Sequence, residues 1–283
     1  MYSEATLKNF VKDYSLPIQI LREPYFSYFL DLYNKDFQSK AKYEMLKNTI
    51  NLVGSEKEFA ELRNKIRDNV INTIQETKAY SDFIASDLSR FDVPSKKHST
   101  KDVYKLDNVG KFFLSIDLKK ANFQALKLFY PDVVLYCNSY QEFIGRFTDL
   151  EYVYNSKKIR QVIFGNLNTK RQVKIQRFMI QRILDWAFEK KVFKEEDVRM
   201  VSSDEIVIEF RDLAGKFIVT ELLEEDIKND LGYDTRVESY QLNNIHDSQF
   251  FIKNFMSKDG YELMCVPLAY FAQVYKEVND LEL

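Results

Sequence analysis

The chain has 283 residues, with 41 Lys and Arg against 43 Asp and Glu, a formal charge of −2 and an apolar fraction of 45%. This is enough apolar material for one large domain or two ordinary ones, and the charge balance excludes any global attraction to nucleic acid or to an anionic membrane, so a basic surface has to be local. The two cysteines, Cys137 and Cys265, argue against a disulfide framework or a thiolate zinc site, and the two histidines, His98 and His246, argue against a multi-histidine metal centre.

The N-terminal residues lack a basic start followed by an apolar core, and no apolar run approaches the roughly 20 residues needed to span a bilayer. The expectation is a cytoplasmic protein with reduced thiols and no membrane partner. Abundant Lys, Asn, Tyr, Phe and Ile suggest an AT-rich genome, viral, phage or bacterial. None of the seven glycines falls in a Gly-x-Gly-x-x-Gly pattern or in a phosphate loop before Lys-Ser/Thr. A bound nucleotide would therefore have to be held by metal and side-chain cations.

Residues 1–95 carry apolar positions at helical spacing. The longest stretch runs from Ser55 to Arg90, and Ser55 with Glu58 forms a Ser-x-x-Glu capping box. Continuous, that helix would be about 50 Å long at ~1.5 Å per residue. The polar segment from Asp92 to Thr100, with Pro94, reads as a linker, so a helical N-terminal region of residues 1–95 is expected ahead of an α+β region of residues 96–283. In the second region a strand is expected at Lys111–Leu118, then a helix stopped at Pro131, a short apolar run from Val133 to Cys137 and a helix from Ser139. A long helical block follows over Ser156–Lys191, with an interruption near Gly165.

A hairpin around Asp204 comes next, then a helix from Thr220 to Leu231 closed by Gly232. Strands are expected at Thr235–Leu242, Gln249–Phe255 and Glu262–Val266, with Asp259-Gly260 as a turn, and a last helix after Pro267.

Chemistry concentrates in three places. Asp204 and Glu205 lie between the β-branched runs Val198–Val201 and Ile206–Ile208, so two like charges share a strand junction, where a bound cation would relieve their repulsion. Asp117 ends the apolar strand Phe112–Leu118 and could complete a site for a hard divalent cation, with the Leu118 carbonyl as a further oxygen ligand; an Asp after a strand is also a good helix N-cap. Between these acids, residues 157–191 carry Lys157, Lys158, Arg160, Lys170, Arg171, Lys174, Arg177, Arg182, Lys190 and Lys191 against Asp185 and Glu189 alone. Such an excess marks either an anion-binding face or a solvated helix, and phosphate is the obvious anion. Trp186 reads as part of the apolar face of this helical block rather than as a base-stacking platform.

The order acid, basic helical block, paired acids resembles the palm and fingers core of DNA polymerase family A and the related single-subunit polymerases. Leu114-Ser-Ile-Asp-Leu-Lys-Lys-Ala-Asn-Phe-Gln-Ala-Leu126 is similar to that family's motif A, and Lys157-Lys-Ile-Arg-Gln-Val-Ile-Phe-Gly165 to its motif B. Val201-Ser-Ser-Asp-Glu-Ile-Val-Ile-Glu209 is similar to motif C, with Ser203 where His is usual. The matching residues number about thirty, and motif A also resembles reverse transcriptases.

The resemblance implies a compact member with a palm-like antiparallel sheet and packed helices, a thumb-like region at 1–95 and reduced fingers at about 156–191. It implies a nucleotidyltransferase extending a polynucleotide 3′ end with two Mg²⁺ or Mn²⁺ ions, acting on a nucleoside triphosphate and a DNA or RNA primer/template, as in DNA replication. Asp117, Asp204 and Glu205 would be the catalytic acids, with Asp117, Asp204 and Leu118 as metal ligands and Glu205 as the auxiliary acid. Arg160 would be the principal triphosphate contact, helped by Lys157, Lys158, Lys170 and Arg171. Asn122 falls at the sugar-discriminating position, where family A DNA polymerases have Glu, so the sugar preference stays open. Asn168 falls where an aromatic normally stacks beside the nascent pair, and the reduced fingers leave room for a protein partner that supplies grip or processivity. A reading from another class is a non-catalytic nucleic-acid-binding or complex-assembly protein that uses the basic block 157–191 alone.

Overall fold

The structure, a computed structural model, describes residues 2–94, 103–210, 220–246 and 248–281. The linker expected at Asp92–Thr100 lies from residue 95 onward outside the described residues, as does His98. The first helices are α1 (Glu4–Asp13), α2 (Tyr25–Leu32), α3 (Asn34–Phe37), α4 (Ser39–Val53), α5 (Glu56–Gln75) and α6 (Lys78–Ala85). Next come β1 (Phe112–Leu118), α7 (Ala121–Phe129), α8 (Tyr140–Gly145), α9 (Glu151–Asn155), α10 (Lys157–Gly165) and α11 (Thr169–Glu189). The chain ends with β2 (Val198–Val201), β3 (Glu205–Phe210), α12 (Thr220–Leu231), β4 (Thr235–Asn244), β5 (Phe251–Phe255), β6 (Tyr261–Met264) and α13 (Leu268–Val278).

Local chemistry accounts for several boundaries. The Ser55 hydroxyl accepts from the Glu58 backbone N–H and starts α5, as the capping box predicts. The long helical stretch expected from Ser55 to Arg90 is not continuous but broken after Gln75. Thr77 breaks it: its Oγ1 accepts from Tyr80 N and donates to the Ile74 carbonyl, satisfying the end of one helix and the start of the next. A side chain that bonds its own backbone in this way competes with continuation of the helix. The block from 156 to 191 divides where expected, with α10 ending at Gly165 and α11 starting at Thr169. Gly232, at φ 75°, closes α12 in the left-handed conformation that glycine adopts without strain.

The chain forms two compact units, each assembled from two stretches: Met1–Ser86 with Phe129–Thr169, and Asp87–Leu128 with Lys170–Leu283. The elements described in the first unit are helical. Its core includes Leu7, Phe10, Phe26, Leu46, Phe59 and Val70, and among its described residues one charged side chain, Asp13, is buried. Two guanidinium nitrogens of Arg63 reach the two Asp13 oxygens at 3.1 and 2.5 Å, and the Tyr152 hydroxyl donates to the same carboxylate at 2.7 Å. Paired and hydrogen-bonded on both oxygens, the charge is tolerated in the core.

The second unit is built on a six-stranded antiparallel sheet in the order β2-β3-β1-β4-β5-β6. Strand, helices, hairpin, helix, strand, with β1 and β4 adjacent inside the sheet, is the split βαβ arrangement, here extended by β5 and β6 at the β4 edge. Side chains alternate between faces along each strand. Leu114, Ile116, Leu118, Ile206, Ile208 and Val237 share one buried face, and α12 lies against β4. The other face holds a second apolar cluster, in which Phe113, Met200, Val207, Tyr240, Leu242 and Phe251 pack under Val103. The α+β class expected from the sequence is therefore observed in this unit.

A carboxylate cluster at one end of the sheet

The second face changes character along β1, from Phe113 through the buried Ser115 to Asp117. Register decides what surrounds Asp117: its Cα partner on β3 is Glu205 and its partner on β4 is Arg236. The Leu118 N–H donates to the Asp204 carbonyl at 2.8 Å, so the hairpin turn is tied to the end of β1. Asp117, distant in sequence from the Asp204-Glu205 turn, is thus brought beside it where β1 ends and β3 begins.

The turn is built by serine. Ser202 Oγ accepts from the N–H groups of Asp204 and Glu205 at 3.2 and 2.9 Å, while the Ser202 and Ser203 hydroxyls each donate to Asp204 Oδ1 at 3.1 Å. Ser115 Oγ donates to Glu205 Oε1 at 2.6 Å. Arg236 Nη2 reaches Asp117 Oδ2 at 3.2 Å, and its Nε lies 3.8 Å from Oε1 of Glu238, the next acid on the same face of β4. Glu238 is buried and also receives Lys258 Nζ at 2.5 Å. Burial raises the Asp117 carboxyl to about 6; Arg236 pulls against that rise, and Glu205, Asp204 and Glu238 add to it. Further along this face the buried Lys253 lies 4.9 Å from the ring centre of Tyr240 and 3.5 Å from Glu262.

The donor set at the strand ends is oxygen only: the carboxylates of Asp117, Asp204 and Glu205 and the Leu118 backbone carbonyl. That chemistry fits a hard divalent cation such as magnesium or manganese. The contacts above use one oxygen of each of the three carboxylates. Among the described residues no three His, Cys, Asp or Glu side chains already converge as a cation site.

The remaining sequence-predicted residues are distributed over both units. Asn122, in α7, accepts a hydrogen bond from Gln176 of α11. Lys170 is exposed and Arg171 half-buried at the start of α11. Lys157, Lys158 and Arg160 belong to the other unit, on α10. Lys157 and Lys158 are exposed, whereas the Arg160 guanidinium lies 5.5 Å from the ring centre of Tyr140, and burial lowers its pKa. Part of the basic excess is neutralised from elsewhere in the chain, Lys174 by Asp92 at 2.5 Å and Lys190 by Asp230 at 3.0 Å. Trp186 is buried, and its indole N–H donates to Asp230.

Ser115, Arg236, Glu238 and Lys258 were not singled out by the sequence. Their only local signal is the alternation of Arg236, Glu238 and Tyr240 along β4, which does not say what lies opposite.

The fold and this cluster define an α+β protein with a split βαβ sheet and an acidic site at one strand end. No protein-family model matches the chain, and no curated protein and no solved structure is significantly similar to it.

Proposed function

We propose that the chain is a compact template-directed nucleotidyltransferase, extending a DNA or RNA 3′ end from nucleoside triphosphates. The observation that carries this reading is the register that brings Asp117 of β1 beside Glu205 and ties Leu118 to Asp204 at the hairpin turn. An antiparallel sheet with packed helices is also what the motif resemblance implied.

In this reading Asp117, Asp204 and the Leu118 carbonyl would hold two magnesium ions, which when bound make a primer hydroxyl more acidic and neutralise charge on a triphosphate. Ser202 and Ser203 hold the Asp204 carboxylate in place through its Oδ1, and Ser115 does the same for Glu205. Glu205 adds negative potential that draws cations toward Asp117. Lys170 and Arg171 of the same unit supply positive charge for phosphates. Water exclusion has a basis in the apolar cluster that continues along the same face.

Primer extension with magnesium tests the proposal. Asp117→Ala and Asp204→Ala are each expected to lower the rate by 100-fold or more, on the order of what loss of a principal charge-stabilising group costs. Extension that persists in both variants would remove the assignment. Omitting the template strand separates a templated enzyme from a terminal transferase. Exposed cations such as Lys157, Lys158, Lys170, Arg177 and Arg182 also suit the non-catalytic reading. It requires salt-dependent nucleic-acid binding that survives loss of both aspartates and needs no metal.

A further inference from the structure

We propose that Arg236 is a resident counter-cation of Asp117, which a divalent cation must displace, and that Glu238 is the second seat to which the guanidinium moves. This rests on the reading of Asp117 and Asp204 as a cation site.

Arg236 stands directly across the sheet from Asp117, so the pairing of β1 with β4 places a fixed positive group at the carboxylate. The contact is a single one, through Nη2 at 3.2 Å, and the Arg236 side chain is 55% exposed. In the first unit, by contrast, Arg63 engages both carboxylate oxygens of Asp13, the stronger two-bond arrangement. Two residues on along β4, Glu238 faces the same way and is already 3.8 Å from Arg236 Nε. The guanidinium therefore has an acceptor within reach that requires no backbone movement. Glu238 is at present neutralised by Lys258, whose side chain is half exposed and can give way to solvent.

A guanidinium and a divalent cation drawn to one carboxylate repel each other, even where they take different oxygens. Binding at Asp117 therefore competes with Arg236, and the strength of that competition sets the apparent affinity. Exposed ion pairs are weak, so the competition is modest: removing the guanidinium should tighten cation binding by roughly 2- to 5-fold.

Calorimetric titration of the full chain with Mn²⁺, with no nucleotide present, tests this without reference to activity. Arg236→Gln is expected to bind roughly 2- to 5-fold more tightly than the wild type, Arg236→Lys about as the wild type does, and Asp117→Asn far more weakly. If Arg236→Gln binds as the wild type does or more weakly while Asp117→Asn loses binding, the counter-cation role is wrong and the acids remain a cation site. If Asp117→Asn binds as well as the wild type, or no variant binds at all, the cation site falls and this inference falls with it.

Discussion

Asp117 is the residue on which the chemistry turns. In the unfolded chain its carboxyl titrates near 3.8, and in the fold burial first, with three neighbouring acids adding and Arg236 opposing, moves it to about 6. Between those values the folded state holds the proton more tightly, so the protonated side chain favours the fold at low pH and that contribution is lost as the pH rises through about 6. Without divalent cations, Asp117→Asn is accordingly expected to exceed the wild type in stability above pH 7, by at most about 3 kcal/mol, and to match it below pH 4. Urea unfolding at pH 3.5 and pH 8 measures this, and an equal difference at both would contradict it. The sequence named Asp117, Asp204 and Glu205 as acids at strand ends; it did not name Arg236, because that pairing follows from a register spanning more than a hundred residues.

At the scale of elements, short-range signals carried far. Ser55 starts α5, Ser139 starts α8 by accepting from Glu142 N, and Gly232 ends α12, all as side-chain chemistry dictates. The break at Thr77 escaped because the apolar periodicity continues through it, while a threonine bonding forward and backward is visible only once the chain has turned. Thr77→Ala is expected to cost about 1 kcal/mol, the usual worth of an N-cap hydroxyl, read as a lower urea midpoint with an unchanged slope. A neutral result would mean that α5 and α6 had joined into one helix, which a gain in helical circular dichroism would reveal. β1 was legible for a different reason: its two buried faces, Phe113 and Ser115 on one side and Leu114 and Ile116 on the other, make a nearly continuous apolar run.

For the whole molecule, the division of the basic block matters most. α10 belongs to one unit and nearly all of α11 to the other, so the ten cations of residues 157–191 are divided between two units. Each exposed lysine that contacts a phosphate should contribute about one unit to the slope of log affinity against log salt. A Lys157→Ala/Lys158→Ala variant should lose close to two units in a nucleic-acid titration. Lys174→Ala and Lys190→Ala should each lose clearly less than one, because Asp92 and Asp230 already neutralise these cations. A loss of a full unit in each of the two single variants would show that the internal pairs open on binding.

By itself the sequence determined the α+β class, most helix and strand positions and the acids at the end of β1 and in the turn that leads into β3. These rest on periodicity, caps and turns, which act over a few residues. Only the tertiary structure decided that residues 129–169 fold with the N-terminal helices, that Arg160 packs on Tyr140, and that Arg236 faces Asp117. Those outcomes depend on strand register and on burial between distant segments, and no local pattern encodes which strand will lie beside which.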